Sequence, residues 1–271
     1  MADVAELAAL ALQIGREAAA LIADRRAAGV EIARTKSSVT DIVTEADHAS
    51  EELIRERILA ARPQDGMVGE EGSSITGTSG VAWVVDPIDG TVNYAHGIPN
   101  YAVSIGVVVD GVAVVGVVLN PAQDLEYTAV RGGGAFRNGV PITVAEAVEP
   151  ALGVVGTGFN YRPDVRTSQA RTVAAMLPRV ADIRRFGSCA LDLCAVAEGS
   201  LDAYIEEGVG GAWDYTAGAL IATEAGAEVQ ILTGVAGRIL VTAAPSASYL
   251  AFRDLWEDCG FVGEAEPGSP N

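Results

Sequence analysis

The sequence predicts a mixed α/β fold in two halves that meet near residue 150 and share one site. Three observations predict it. Two Ala- and Leu-rich helical patterns open the chain. Short Val-rich runs broken by turn residues fill the stretch from Val81 to Val130, which is the patterning of a sheet. After residue 150, strand-like and helix-like segments alternate to the end. The expected division is 1–150 for an N-terminal half carrying acidic motifs, 151–262 for a C-terminal α/β half, and 263–271 for a disordered tail.

The elements follow in order. Residues 4–28 read as one amphipathic helix stopped by Gly29, and 46–61 as a second closed by Pro63. Between them, Lys36 to Thr44 is rich in Ser and Thr and reads as extended or looped. Residues 66–80 mix Gly with Ser and Thr and read as a mobile loop. Val81-Ala82-Trp83-Val84-Val85 is uniformly apolar, as in a buried strand. Residues 101–109 and 112–119 are strands joined by Asp110-Gly111, a hairpin signal. Leu125 to Val130 continues that sheet, and Pro141 to Pro150 reads as a crossover. In the second half the predicted strands are 152–157, 182–186, 201–206, 227–232 and 239–243. The predicted helices are 164–177, 189–198, 213–225 and about 247–259.

Composition narrows the function. At 271 residues the chain buries a substantial core without disulfides or a structural metal. Its net charge of -18 repels nucleic-acid phosphates, so direct nucleic-acid binding is not expected. A phosphorylated substrate would need local help from cations or backbone amides. The three cysteines, Cys189, Cys194 and Cys259, fit no zinc spacing, and His48 and His96 are the only histidines. Free thiols fit a reducing compartment. The N-terminus is acidic where a signal peptide is basic, and the apolar run from Leu7 to Leu12 is too short to span a bilayer. The expectation is a cytoplasmic protein with no membrane association.

The chemistry is carried by a strand that stops at acid. Five apolar residues lead into Asp86-Pro87-Ile88-Asp89-Gly90-Thr91. Pro87 biases Asp86 to an extended backbone at the strand's carboxyl end, and the turn brings Asp89 close. Two carboxylates held together repel unless a cation lies between them. Oxygen-only ligands suit Mg²⁺ or a similar hard cation, and the amides after Gly90 suit phosphate. The plainer reading is an acid-capped turn at a sheet edge. Glu70-Glu71 in the Gly-rich segment also read as solvated loop acids. Asp214, after Trp213, and Asp47 also read as helix N-caps.

Taken together, these clusters resemble the inositol monophosphatase family. The matching stretches are Lys36-Ser-Ser-Val-Thr-Asp41-Ile-Val-Thr44-Glu-Ala-Asp47, Gly69-Glu70-Glu71, Trp83-Val-Val-Asp86-Pro-Ile-Asp89-Gly-Thr91-Val-Asn93-Tyr and Trp213-Asp214-Tyr-Thr-Ala-Gly218. Thr157-Gly158-Phe159 and Arg185-Phe-Gly187-Ser188-Cys-Ala190-Leu-Asp192 also match. The likeness runs from the first helix to about Val262 and is closest to the bacterial inositol-1-phosphatases.

The resemblance implies a layered αβαβα sandwich of the inositol monophosphatase and fructose-1,6-bisphosphatase type, usually a homodimer, with lithium-sensitive phosphatase activity. It implies that Glu70, Asp86 and the Ile88 carbonyl hold one Mg²⁺, that Asp86, Asp89 and Asp214 hold a second, and that Glu70 reaches a third through water. Thr91 with Asp47 would orient the attacking water. Asp89, Gly90, Thr91, Gly187, Ser188, Cys189, Glu206 and Asp214 would meet the substrate.

The chain departs from the family pattern in two places. Cys189 stands where Ala is usual. Four residues, Val-Gly-Gly-Ala, separate Gly208 from Trp213 where three are expected, which leaves Glu206 and Glu207 both open for the hydroxyl contact. The implied substrate is a small polyol or sugar phosphate, inositol 1-phosphate first, with histidinol phosphate, fructose 1,6-bisphosphate and 3'-phosphoadenosine 5'-phosphate as alternatives. A bisphosphate would need cationic contacts, for which Arg162, Arg166, Arg184 and Arg185 are the local supply. A covalent aspartyl phosphatase carries its two acids two apart, not three with a proline between. Relatives that act as binding partners in transcription complexes give a non-enzymatic alternative.

Overall fold

The structure, a computed structural model, describes residues 3–30, 32–35, 42–72 and 74–263. The stretch Lys36 to Asp41 of the matched motif and residues 264–271 of the expected tail lie outside the described residues. In chain order the elements are α1 (Val4–Ala28), β1 (Ile32–Thr35), β2 (Ile42–Thr44), α2 (Glu45–Ala61), β3 (Gly66–Gly69), β4 (Val81–Asp89), α3 (Thr91–His96), β5 (Ala102–Val109), β6 (Val112–Asn120), β7 (Leu125–Val130), β8 (Ala135–Arg137), β9 (Val140–Ile142), β10 (Val154–Thr157), α4 (Pro163–Met176), β11 (Asp182–Arg184), α5 (Cys189–Ala197), β12 (Ala203–Glu207), α6 (Ala212–Glu224), β13 (Ala227–Thr233), β14 (Ile239–Pro245) and α7 (Tyr249–Asp258).

A seven-stranded sheet runs in the order β3-β4-β5-β6-β7-β8-β9, and a five-stranded sheet in the order β11-β10-β12-β14-β13. The first is antiparallel except for the β3–β4 pair. In the second, β11, β10 and β12 are parallel, while β14 runs antiparallel to β12 and β13.

Three apolar clusters bind the layers, and strand alternation sorts residues between them. Val103, Ile105 and Val107 of β5 meet Leu7, Ile14 and Ile22 of α1 and Ile54 of α2 on one face of the large sheet. Ala102 and Val118 turn to the other face and pack with Leu193 of α5 and Leu220 of α6. That middle layer also meets Tyr204 and Val241 of the small sheet. Beyond it, Ile205 and Leu240 pack with Met176 of α4 and with Phe252 and Trp256 of α7. The result is the αβαβα sandwich.

Two glycines set the spacing of the middle layer. Gly106 of β5 and Gly116 of β6 stand opposite each other. A Cβ on Gly106 would lie 2.6 Å from Thr216 Cγ2, and one on Gly116 would lie 2.6 Å from the Ala217 carbonyl oxygen. With no side chain there, α6 lies against the sheet surface. Its first turn thereby reaches the end of β4.

The structure corrects three local expectations. Gly66–Gly69 is a strand, not loop: it pairs parallel to β4, and Ile75 bridges back to Met67. Two short strands, β8 and β9, extend the large sheet, so β9 includes Pro141 and Ile142, the start of the expected crossover. Gly263 belongs to the fold rather than to a tail, because its amide donates to the Thr233 carbonyl at 3.1 Å.

Candidate active site

β4 does not stop at Asp86. It continues to Asp89, with Asp86 opposite Ser104 and Asp89 opposite Ala102 on β5. Three steps on one strand match two on the other, so β4 bulges between the two acids. Pro87 lies in that bulge, where its missing N–H costs no ladder bond. The chain then turns through Gly90, whose φ of 91° favours glycine. A Cβ there would lie 2.9 Å from the Asn100 carbonyl oxygen and 3.1 Å from that of Gly187. α3 starts immediately, at Thr91.

A cavity of about 400 Å³ lies where the ends of the two sheets face each other. That size suits a small molecule. Glu70, Asp86, Ile88, Asp89, Gly90 and Thr91 line one wall, and Asp214 enters from the first turn of α6. Gly187, Cys189 and Glu206 line the other wall with three arginines, Arg162, Arg185 and Arg238.

Asp47 and Ser188 stand one step behind this surface. Asp47 is fully buried. Its Oδ2 accepts from the Thr44 amide at 2.8 Å and from the Thr44 hydroxyl, completing a capping box on α2. Its Oδ1 lies 3.1 Å from Thr91 Oγ1, which is also 3.0 Å from the Ile88 carbonyl. Ser188 does not line the cavity. Its hydroxyl donates to Asp89 Oδ2 at 2.6 Å, beside the Ala190 amide at 2.7 Å. The start of α5 thus clamps Asp89 from the second half of the chain.

The acids raise one another's proton affinity. Burial, then the charges of Glu70, Asp89 and Asp214, push the Asp86 carboxyl well up. Burial also pushes Asp214 well up, followed by Glu70 and Asp89. Asp89 is raised to about 7, chiefly by burial, against the pull of Ser188 and Ala190. Asp47 is likewise raised to about 7 by burial. A hydrogen bond from Glu70 adds to the shift of Asp86, and two carboxyls in such contact share either a proton or a cation. Among the described residues no three acid, His or Cys side chains already close around one point as a finished cage. The donor set is nonetheless oxygen in character: four carboxyls and the Ile88 carbonyl. That fits a hard divalent cation.

Strand alternation on β12 sends Glu206 and Glu207 to opposite faces. Glu206 faces the cavity, where its Oε2 accepts from the Tyr204 hydroxyl at 2.7 Å. Glu207 points to the opposite face, is buried, and accepts from the Ala236 amide at 2.7 Å. Cys189 lines the cavity but is buried, and burial pushes its thiol well up, so it is a poor nucleophile.

Sequence reasoning missed several supporting groups. Glu51 is buried on α2, and its Oε2 accepts from the Glu71 amide at 2.8 Å. A Cβ on Gly69 would lie 2.4 Å from that same oxygen, so Glu51 packs against the backbone that presents Glu70. Its Glu51-Glu52 context looks like helix surface and gives no signal. Asn93 donates to the Asn100 and Phe186 carbonyls, both at 2.7 Å, tying the two halves together at the cavity rim. Thr44-x-x-Asp47 was readable as a capping box. Asp192, within a matched motif, is buried, and neither carboxyl oxygen has a hydrogen-bond partner among the described residues. Arg238 carries no sequence signal.

The chain resembles known proteins over nearly its whole length. It is 45% identical over 264 residues to an inositol-1-monophosphatase of Mycobacterium bovis, covering 90% of this chain and 91% of that one. It is 39% identical over 242 residues to a protein of Pasteurella multocida named Nus factor SuhB, covering 87% and 90%. A solved structure of Mycobacterium tuberculosis SuhB superimposes with a TM-score of 0.80 at 41% identity, covering 96% of this chain and 99% of that one. The family model described as "Inositol monophosphatase family" matches residues 3–257. With that match, those relatives and a shared fold, the chain belongs to the inositol monophosphatase family of phosphatases.

Proposed function

We propose that this cavity hydrolyses the phosphate ester of a small polyol or sugar with the help of Mg²⁺, inositol 1-phosphate being the first candidate. One observation carries the reading: Glu70, Asp86, Asp89 and Asp214, carboxyls from three separate chain regions, line one small cavity with Ile88. Glu70, Asp86 and the Ile88 carbonyl would hold one ion, and Asp86, Asp89 and Asp214 another. Such ions, when bound, acidify a water and offset charge on the leaving oxygen.

The chain's own groups do the rest. Thr91 Oγ1 lies between Asp47 Oδ1 and the Ile88 carbonyl. A hydroxyl has one proton to give. With that proton committed to either oxygen, Thr91 keeps its lone pairs to accept from a water and aim it at phosphorus. The amides after Gly90 would take phosphate oxygens. Glu206, Gly187 and Cys189 would meet the polyol. Ser188 would act through Asp89 by holding its carboxylate.

The three free cysteines support a reducing, cytoplasmic setting, and no helix among the described residues is long and apolar enough to cross a membrane. The exposed Ile98 and Phe186, on loops that Asn93 joins, support a homodimer. A second reading, a non-catalytic binding partner, draws on the name of the Pasteurella relative. The complete acid set favours catalysis. The deciding experiment is Mg²⁺-dependent phosphate release from inositol 1-phosphate, histidinol phosphate, fructose 1,6-bisphosphate and 3'-phosphoadenosine 5'-phosphate. The expected result is release that needs Mg²⁺, with inositol 1-phosphate among the good substrates. No release from any of them would leave the binding-partner reading standing.

A further inference from the structure

β12 sends two polar side chains toward the small-sheet wall of the cavity. Tyr204 and Glu206 are two residues apart on that strand, so they point to the same face. Glu206 reaches the cavity and is half-buried. Tyr204 stands behind it, fully buried in the middle layer with Leu193 of α5 and Val241 of β14. The Tyr204 hydroxyl donates to Glu206 Oε2 at 2.7 Å. Gly158, just after β10, lies against the same carboxyl, and a Cβ there would overlap both of its oxygens. The carboxyl is thus pressed on bare backbone and tied by one phenol.

A buried phenol needs an acceptor in any case. Here the acceptor is the one carboxyl of β12 that faces the cavity. The packed Tyr204 ring cannot follow a moving partner, so the bond fixes Glu206 rather than the reverse. Glu206 Oε2 is occupied, while Oε1 makes no hydrogen bond among the described residues. A carboxylate only accepts, so the group that suits Oε1 is a hydroxyl with a proton to give. Ordering a long side chain at the moment of binding costs affinity, and a side chain already ordered avoids that cost.

We infer that Tyr204 is a positioning residue for substrate selection: its hydroxyl holds Glu206 so that Oε1 takes one hydroxyl of the substrate's alcohol part. This rests on Glu206 meeting the polyol, as proposed above. Tyr204 touches neither substrate nor reacting atoms. It acts through Glu206, on binding of hydroxyl-bearing phosphate esters and not on bond breaking.

The test measures kcat and KM for inositol 1-phosphate and for p-nitrophenyl phosphate, which has no hydroxyl to offer Glu206. The proteins are the wild type, Tyr204→Phe, Glu206→Ala and the double variant. Tyr204→Phe should raise KM for inositol 1-phosphate about five- to tenfold, leave kcat within about twofold, and leave both values for p-nitrophenyl phosphate within about twofold. In the Glu206→Ala background, Tyr204→Phe should add less than about twofold, because the group it positions is gone. Glu206→Asp, which keeps the charge but draws it back from the Tyr204 hydroxyl, should raise KM as much as Glu206→Ala does. An unchanged KM in Tyr204→Phe, equal losses on both substrates, or an undiminished effect in the Glu206→Ala background overturns the inference. If Glu206→Ala itself leaves KM unchanged, it is the contact between Glu206 and the polyol that fails, and the role of Tyr204 falls with it. Calorimetric titration of inositol 1-phosphate, with Ca²⁺ replacing Mg²⁺, gives the same comparison without turnover. If the wild type hydrolyses nothing, the phosphatase reading fails, yet weaker binding in Tyr204→Phe still supports the positioning role, and equal or undetectable binding overturns it.

Discussion

The two walls of the cavity come from different sheets and carry opposite charge. On the large-sheet side, Asp86 and Asp89 are buried at the end of β4, Glu70 follows β3 half-buried, and further buried groups brace them. Asp47 is held by Thr44, Asp89 by Ser188 and Ala190, and the backbone around Glu70 by Glu51. On the small-sheet side, the arginines are exposed or half-buried, Arg162 paired with Asp164, and Arg185 and Arg238 with no side-chain hydrogen bond among the described residues. Burying a charge is costly unless it is compensated. The acidic wall is therefore built for one arrangement. The bond breaking proposed above falls to the first.

The comparison breaks most readily at Glu51. Glu51→Gln leaves the fold in place but weakens the acceptor that holds the Glu71 amide. The apparent Mg²⁺ affinity in phosphate-release assays should fall about ten- to a hundredfold, as for other groups that orient a ligand from behind. An unchanged Mg²⁺ dependence would mean that the bracing is incidental.

Glu206 and Glu207 sharpen it next. Glu206→Gln should raise KM for inositol 1-phosphate about tenfold with little change in melting temperature. Glu207→Gln should leave KM alone and cost about 1–2 kcal/mol of stability, read as a drop of a few degrees in Tm, because its carboxylate holds the turn before β14. Reversed outcomes would exchange the roles of the two faces of β12.

The smallest effect is on stability against pH. Asp47 and Asp89 are both raised to about 7, chiefly by burial. The folded chain then binds more protons than the unfolded chain between the ordinary carboxyl range and neutrality. The stability those protons contribute is full below about pH 4 and is lost as pH rises through about 7. In a chelator, Tm should therefore fall from about pH 5 to about pH 7.5, and added Mg²⁺ should raise Tm more at the higher pH. A Tm that rises with pH in the chelator would contradict the electrostatics described for the acidic wall.

Much of this was legible in the sequence, and the reasons are local. Helices with clear stops, such as α1 before Gly29, and the Asp110-Gly111 hairpin announce themselves through periodicity and turn chemistry. The acids were legible because Asp86 and Asp89 share one strand end with a proline between them. The layer order and the assignment of ligands rested on the family resemblance. What stayed hidden depends on long-range packing. Gly66–Gly69 looks like loop because its pairing partner supplies the strand character. Glu51 looks like surface because its ligand is a backbone amide 20 residues on. Glu206 and Glu207 could not be separated until the register of β12 against β14 was fixed. Arg238 joins the cavity only because β14 runs antiparallel to β12.

The central claim is that the acids at the end of β4 hold the divalent ions on which phosphate release depends. Its most direct test is phosphate release from inositol 1-phosphate measured against Mg²⁺ concentration for the wild type and for Asp89→Asn. The predicted result is saturable Mg²⁺ dependence in the wild type and a loss of more than about a hundredfold in a variant that stays folded. Release that persists in Asp89→Asn, or that proceeds at full rate in chelator, would contradict it.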